Sequence, residues 1–351
     1  MRDEDNVIQY TDVMDRMRRF SFCLYTIIFP VFIFSGIANA GKGFQVPADT
    51  SHAWYAFLAP ESLLVSVIKK NGRLLAAGER GHILFSEDAV NWQQASVPVQ
   101  ILLTGVYMSD SIHGWAVGHD AVILNSVDGG KSWRKIHEAV EEQRPLLDVW
   151  FRDNGYGIVI GAYGYLLHTH DSGITWESNL VNEEHDFHLN AISATPQGKL
   201  YIAAEAGYVY RSDDDGASWA TLNPPYEGSF FGVISPDEDK VVVFGLRGNV
   251  FVSNDSGESW RRIDSETQST LTSGIKLKNG YFVISGHAGT LLLSDPNLNQ
   301  VFAHQIPDRK ALSDLVEVSP NQLVLVGEDG AKKIDLCQTF RIVNLPGCRV
   351  Q

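Results

Sequence analysis

The sequence predicts an all-β chain folded as a seven-bladed β-propeller with four antiparallel strands in each blade. A short turn, Gly-x-x-Gly or a close variant, follows a β-rich run seven times at intervals of 40 to 43 residues, beginning at Gly78, Gly118, Gly161, Ala204, Gly245, Gly286 and Gly327. A second turn, Ser/Thr-x-Asp-x-Gly-x-Ser/Thr-Trp, accompanies four of these copies. A unit of four short strands repeated with this period is typical of propeller blades.

The second unit shows how one blade is divided. Apolar or β-rich runs occupy 102–108, 114–117 and 122–125, and a more polar run follows at 133–136. The two residues His119-Asp120 reverse the chain between the second and third runs. Runs of this length joined by tight turns, without helical periodicity after residue 40, predict an antiparallel sheet.

The aspartate turns have a structural explanation. An aspartate accepts backbone N–H bonds across a tight turn, a glycine supplies positive φ, and a tryptophan buries a large ring beyond it. The residues assigned to these roles are Asp128, Gly130 and Trp133; Asp171, Gly173 and Trp176; Asp214, Gly216 and Trp219; and Asp255, Gly257 and Trp260. We therefore expect these turns to close blades rather than to perform chemistry.

The first and last units depart from the pattern. The turn at 86–92 is one residue short and lacks the glycine, and the sixth and seventh units have lost the turn, which places the ring seam near them. Trp54 to Leu58 resembles an outer strand that would complete the last blade. Phe340 to Leu345 competes for the same place, and the sequence leaves both open.

The first forty residues predict a secretory signal peptide. Arg16, Arg18 and Arg19 precede an apolar run from Phe20 to Ile37, and Ala38-Asn39-Ala40 supplies a small-x-small cleavage site. The alternative is an uncleaved membrane anchor, because the run has about the length of a spanning helix. The predicted division is 1–40 signal peptide, 41–53 linker, 54–347 propeller and 348–351 tail.

The net charge and the cysteines of the chain indicate which partners and which cellular compartment suit it. Residues 41–351 keep 24 of the 28 Lys and Arg and 37 of the 42 Asp and Glu, a net charge of −13. Such a surface repels phosphate backbones and anionic lipid at long range, which argues against nucleic-acid binding and peripheral membrane attachment. Cys337 and Cys348 predict a disulfide that holds the last strand in an oxidising compartment.

One face of the ring is the predicted binding surface. In a four-stranded antiparallel blade, the turn between the second and third strands lies on the same face as the connection to the next blade. The candidates on that face are Arg80, His119, Asp120, Tyr163, Glu205, Arg247, His287, Glu328 and Asp329, together with the connections at 183–186 and 224–227. Arg80 and Arg247 are the expected electrostatic anchors, and Tyr163 offers aromatic contact area.

The aspartate turns look like the Asp boxes of bacterial sialidase-type (BNR) repeats. With the Gly-x-x-Gly turns, the chain from about residue 54 to 347 resembles the photosystem II stability/assembly factor-like family of seven-bladed propellers. The resemblance implies a non-catalytic scaffold that is exported or lumenal. With the signal peptide, we expect a periplasmic monomer without cofactor or metal. It would bind a protein partner during assembly or operation of a membrane or envelope complex, and it leaves open whether the host is photosynthetic.

Two other function classes remain as alternatives. A sialidase-like hydrolase needs three arginines on a substrate carboxylate and a tyrosine nucleophile helped by a glutamate, for which Arg80, Arg144, Arg247, Tyr163 and Glu205 are available. However, the sequence has no arginine motif before the first blade, and its turns are short. The second alternative is a lectin-like propeller that binds glycans without turnover. The histidine pairs at 168–170 and 185–188 are better explained as ordinary side chains than as metal ligands.

Overall fold

The computed structural model describes residues 51–153, 155–341 and 345–348. They form seven antiparallel sheets in chain order, which confirms the predicted propeller. Six sheets have four strands, and the seventh has three within the described residues. The predicted signal peptide, most of the linker and residues 349–351 lie outside this part of the chain. No helix of the described residues is long and apolar enough to cross a bilayer.

Every sheet is built from strands that are consecutive in sequence. Blades 1 to 6 contain β1–β4, β5–β8, β9–β12, β13–β16, β17–β20 and β21–β24, and blade 7 contains β25–β27. The strands are β1 Leu64–Lys70, β2 Arg73–Gly78, β3 Ile83–Ser86, β4 Gln93–Gln94, β5 Leu103–Met108, β6 Gly114–Gly118, β7 Ile123–Ser126, β8 Arg134–His137, β9 Leu146–Phe151, β10 Gly157–Gly161, β11 Tyr165–Thr169, β12 Glu177–Leu180, β13 Leu189–Ala194, β14 Leu200–Ala204, β15 Val209–Ser212, β16 Ala220–Leu222, β17 Phe230–Ile234, β18 Val241–Gly245, β19 Val250–Ser253, β20 Arg261–Ile263, β21 Leu271–Lys276, β22 Phe282–Gly286, β23 Thr290–Ser294, β24 Val301–Gln305, β25 Leu312–Ser319, β26 Gln322–Gly327 and β27 Gly330–Asp335.

The core lies between neighbouring blades. The second strands, such as β6 and β18, are buried along their whole length because both of their faces are covered by adjacent blades. Trp115 of blade 2, for example, stacks on Phe151 of blade 3 with ring centroids 3.6 Å apart. The outermost strands are the most exposed, as β8 shows, which explains their polar sequences.

Short 3-10 helices connect the elements. The described residues contain seven of them, which are Ala59–Glu61, Glu79–Gly81, His119–Ala121, Val140–Glu142, Glu205–Gly207, Leu246–Gly248 and His287–Gly289. One α-helix, α1, spans Leu336–Phe340. The Gly-x-x-Gly turns reach the inner strand of their blade closely. A Cβ on Gly245 would lie 2.2 Å from the carbonyl oxygen of Ser229, so only glycine fits this approach.

The aspartate turns, called Asp-box turns from here on, share one set of hydrogen bonds. In blade 2, Asp128 Oδ1 accepts the backbone N–H of Ser132 at 3.0 Å, and Asp128 Oδ2 accepts the hydroxyl of the same serine at 2.6 Å. The same two bonds recur in blades 3, 4 and 5. Trp133 Nε1 also donates to the carbonyl oxygen of Gly130 at 3.0 Å, a bond that the tryptophans of the other three turns do not make. Asp88 of blade 1 accepts the backbone N–H groups at 90 and 91 in the same way. The shortened first copy therefore also forms a turn around its aspartate, with Ala89 at positive φ in place of the glycine.

The ring closes by side-to-side packing of blades 7 and 1. Asp314 Oδ2 of β25 accepts the backbone N–H of Val67 of β1 at 2.8 Å. Neither sequence candidate for a closing strand forms one in the described residues. The segment 54–58 is an irregular stretch beside blade 1, and Phe340 ends helix α1, while residues 342–344 lie outside the described chain.

A disulfide joins Cys337 of helix α1 to Cys348, with Cα atoms 5.6 Å apart. The helix begins after Asp335, whose side chain accepts the backbone N–H groups of residues 337 and 338. The predicted disulfide is confirmed, but Asp335 ends β27, so Cys337 lies in the helix that follows rather than in the last strand. The bridge instead ties the C-terminal segment to the end of blade 7.

Candidate binding face

The turns between second and third strands lie beside the connections between blades. Gly81 N donates to Ile101 O at 2.7 Å, and Gly164 N donates to Phe187 O at 2.9 Å. These bonds join a turn of one blade to the connection that leads to the next blade. We call the surface that contains these turns and connections the ring face; the Asp-box turns lie at the other ends of the strands.

The predicted binding residues are distributed over the blades of the ring face rather than gathered at one point. Arg80 has a side chain that is 78% exposed, with the carboxylate of Glu79 4.0 Å away. The other exposed members are His119, Tyr163, Arg247, His287, Glu328 and Asp329, whereas Asp120 and Glu205 are half-buried. Asp329 is paired with Lys332, whose Nζ lies 2.7 Å from its carboxylate.

Two of these residues meet through a histidine that the sequence did not single out as a site residue. His188 Nδ1 lies 2.9 Å from Glu205 Oε2, and the backbone N–H of His188 donates to the same oxygen at 3.0 Å. The ring of Tyr163 lies 4.8 Å from the ring of His188. Blades 3 and 4 are thereby connected on the ring face, and Glu205 is held by the histidine.

A second aromatic group lies next to this one. Tyr208 contacts Phe187 and His185 with ring centroids 5.0 and 5.2 Å apart, and its hydroxyl is 3.1 Å from His185 Nε2. Among the described residues, no group of three or more His, Cys, Asp or Glu side chains could hold a metal ion. The chemistry of this region is that of a rigid aromatic surface.

A groove of about 880 Å³ begins at Tyr208 and runs between blades 4 and 5. Pro224, Pro225 and Tyr226 form one wall, and Arg247 lies at the far end. The Tyr226 hydroxyl donates to the carbonyl oxygen of Leu246 at 3.0 Å, which fixes this ring against the turn that carries Arg247. The sequence indicated this connection and Arg247 as separate candidates, and only the structure shows that they line one groove.

Arg247 also borders a second depression, of about 680 Å³, on the side of blade 6. Asp264 and Glu266 line it, together with Arg262 and the polar residues at 249, 267 and 268. Arg247 therefore separates an aromatic groove from a polar one. Of the three arginines considered for a sialidase, the aromatic groove contains only Arg247, and the guanidinium of Arg144 lies over the ring of Tyr165 at 5.4 Å.

The inner strands surround a central channel with a volume of about 320 Å³. Asp148 and Asp314 line it, and Asp148 Oδ2 accepts the backbone N–H of Ile192 in the next blade at 2.9 Å. Burial raises the pKa of Asp148 to about 7, and the Asp314 carboxylate adds to the rise. Burial also raises the pKa of Asp314. These carboxylates were not predicted, because Asp148 is a single polar residue within an apolar strand and Asp314 is one of several polar residues in a mixed strand.

Comparisons with known proteins agree with this architecture. The family model described as photosynthesis system II assembly factor YCF48 matches residues 84–332. No curated protein matches the chain in sequence. Among solved structures, the chain is similar to "YCF48 bound to D1 peptide", with 18% identity over 79% of this chain and 94% of that chain and a TM-score of 0.64.

Two further structures show how widely the fold is shared. YCF48 from Cyanidioschyzon merolae is 15% identical over 80% of this chain and 97% of that chain, with a TM-score of 0.64. The WD40 β-propeller domain of Doa1 is 14% identical over 78% of this chain and 92% of that chain, also with a TM-score of 0.64. At these identities the structural likeness establishes the fold alone.

Proposed function

Because the chain belongs to the photosynthesis system II assembly factor YCF48 family, we propose that it is a non-catalytic scaffold that binds an extended segment of a protein partner. The segment lies in the groove between blades 4 and 5 of the ring face. The observation that carries this proposal is the groove itself, which combines Tyr208, Pro224, Pro225 and Tyr226 with the exposed cation of Arg247. A relative of similar fold has been solved with a D1 peptide bound.

The groove suits a peptide for physical reasons. Its aromatic and proline walls are rigid, so little side-chain entropy is lost when they cover an apolar residue of the partner. Arg247 offers a guanidinium at the end of the groove, and a carboxylate of the partner fits it by charge-assisted hydrogen bonds. On a chain with a net charge of −14, an exposed arginine selects the orientation in which an acidic segment approaches.

We further propose that the protein is exported through its N-terminal signal and acts on a complex of the membrane or envelope. The support for this step is the sequence of residues 1–40 and the role of the family in assembly. A disulfide between Cys337 and Cys348 suits an oxidising compartment. Fractionation of cells followed by mass determination of the N-terminus tests both the location and the cleavage.

Binding is tested with the D1 peptide as the probe and, separately, with detergent-solubilised envelope proteins. Arg247→Glu is expected to weaken capture at least about tenfold, because a charge-assisted hydrogen bond contributes roughly 1.5–3 kcal/mol. Lys131→Glu makes the same change of charge on an Asp-box turn and should leave capture unchanged. Equal binding by wild type, Arg247→Glu and Arg80→Glu would contradict the proposed face.

A sialidase-like hydrolase fits the geometry less well. Glu205 is engaged by His188, and Tyr163 packs on the same histidine rather than facing a groove with three arginines. Turnover of a fluorogenic sialoside by the purified chain would reverse this preference. Binding on a glycan array without turnover would instead support a lectin.

A further inference from the structure

A short segment before blade 1 exposes an unusual amount of apolar surface. Trp54, Tyr55, Phe57 and Leu58 are 62%, 82%, 88% and 58% exposed. Four of the twelve exposed large hydrophobic residues of the described chain therefore lie within five consecutive positions. Single exposed apolar residues are ordinary, but a contiguous group of this kind marks an interaction surface.

The order of small and large residues in the segment places its large side chains on the outside. Small alanines occur at every third position, and Ala53, Ala56 and Ala59 pack against the hydrophobic clusters of blade 1 and its neighbours. The large residues between them face away from the protein. A segment that contributed to the core would show the reverse arrangement, with its large residues inside.

The backbone of the segment is fixed, so the exposure does not come from a loose chain end. Ala53 N donates to Val97 O at 2.9 Å. Gln94 holds the segment from both sides, because its Oε1 accepts the N–H of Ala56 and its Nε2 donates to the carbonyl oxygen of Trp54, each at 2.9 Å. These bonds place the four side chains along the outer edge of blade 1, close to the ring-face turn Glu79–Gly81.

The types of these four residues and their position in the chain indicate which kind of partner covers the exposed patch. Tryptophan and tyrosine are enriched where a protein meets the interface of a lipid bilayer, and phenylalanine and leucine supply apolar area there. The uncharged apolar run from Phe20 to Ile37 ends 17 positions before Trp54, so the segment follows closely in sequence if that run is the alternative membrane anchor. The acidic surface disfavours anionic lipid at long range, but apolar insertion into uncharged lipid needs no charge attraction.

We propose that Trp54, Tyr55, Phe57 and Leu58 insert into the interface of a lipid bilayer and hold the ring-face edge of blade 1 against the membrane surface. The contact is shallow and reversible, unlike that of a spanning helix. It uses a different blade from the peptide groove, so it does not depend on the proposed peptide binding. A propeller held in this way presents its ring face to segments that emerge from a membrane-protein partner.

The test measures whether Trp54 reaches lipid in the full-length protein. Vesicles of phosphatidylcholine with brominated acyl chains quench tryptophan fluorescence, and the Trp54→Phe variant gives the share of quenching that comes from Trp54 among the eight tryptophans. We expect that share to be substantial in the wild type and to be lost in the Tyr55→Ser/Phe57→Ser variant. Ile174→Ser, which changes a 77% exposed residue on an Asp-box turn, should retain it.

Two results would overturn the proposal. Equal quenching of wild type and Trp54→Phe would show that the segment does not contact lipid, whatever else anchors the chain. A Trp54 emission that is already blue-shifted without vesicles, and is unchanged by them, would assign the patch to a second copy or to the N-terminal run. Because the D1 peptide should bind equally to Tyr55→Ser/Phe57→Ser, failure of either proposal can be told from failure of the other.

Discussion

The two carboxylates of the central channel predict an unusual pH dependence of stability. The pKa of Asp148 is raised by burial to about 7 in the folded chain, from an ordinary value of 3.8. The folded state therefore binds this proton more tightly than the unfolded state does. The resulting stabilisation is complete below pH 3.8 and is lost as the pH rises through about 7.

The magnitude follows from the size of the shift. At 1.36 kcal/mol for each pKa unit, a rise of about three units corresponds to at most about 4 kcal/mol between pH 4 and pH 7. The channel admits water, which solvates the ionised carboxylate, so we expect roughly half of this amount. Burial moves the pKa of Asp314 in the same direction, and its contribution has the same sign.

The chain itself supplies the substitution that tests this. Asp148 follows the first residue of its inner strand by two positions, and Ser66 holds the equivalent place in blade 1, where its hydroxyl accepts the N–H of Val106 at 3.3 Å. Asp148→Ser should therefore keep an acceptor for Ile192 N and remove the charge. An asparagine would fit less well, because its amide group would face one of the two N–H donors that the carboxylate now accepts.

The assay is urea unfolding followed by circular dichroism at several pH values from 5 to 8. We expect the free energy of unfolding of the wild type to fall across this range, and that of Asp148→Ser to fall less and to exceed the wild-type value at pH 8. Ala191→Ser, at the equivalent position of blade 4, adds a hydroxyl without a charge change and should leave the pH slope unaltered. Parallel curves for wild type and Asp148→Ser would refute the argument.

Three further substitutions separate stability from binding. Trp133→Ala should lower the free energy of unfolding by about 3–5 kcal/mol, because the ring is 7% exposed, and peptide capture should persist in the folded fraction; lost capture at wild-type stability would mean that the functional face is reversed. The double variant Cys337→Ser/Cys348→Ser should lose up to about 3 kcal/mol in urea unfolding under oxidising conditions, and an unchanged midpoint would contradict this. Arg247→Gly should raise the free energy of unfolding by up to about 1 kcal/mol, because glycine adopts positive φ freely, and it should weaken peptide capture. Ala288→Gly should raise the free energy of unfolding by a similar amount and leave capture unchanged.

The repeated features of the fold were predictable from the sequence. The strands expected in the second unit agree with β5 to β8 within one residue at each end, because turn residues and apolar runs mark both boundaries of every strand. The Asp-box turns were assigned from residue types alone, since their hydrogen bonds are local. Seven copies of one pattern average out the uncertainty of any single copy.

Features that occur once were less predictable. The C-terminal helix α1 depends on a single capping aspartate, and the ring closes without a closing strand among the described residues. The contact between Glu205 and His188 joins residues of a turn and a connection whose side chains could point in several directions. The groove was also missed, because it requires Tyr208 and Arg247 of neighbouring blades to lie on the same surface, which the spacing in sequence does not show.

Several ring-face turns carry a large side chain at a backbone position where glycine would cause less steric strain. The third residue of these Gly-x-x-Gly turns has positive φ, at 55° in Arg80, 57° in Tyr163 and 56° in Arg247, where glycine would be free of steric cost. Two blades carry alanine at this position, Ala206 and Ala288, so the turn itself does not require a large side chain. The two arginines at this strained position are best explained by what their side chains contact outside the fold, whereas Tyr163 also packs on His188. The strain is thus an argument for the ring face as the binding surface that does not depend on the groove.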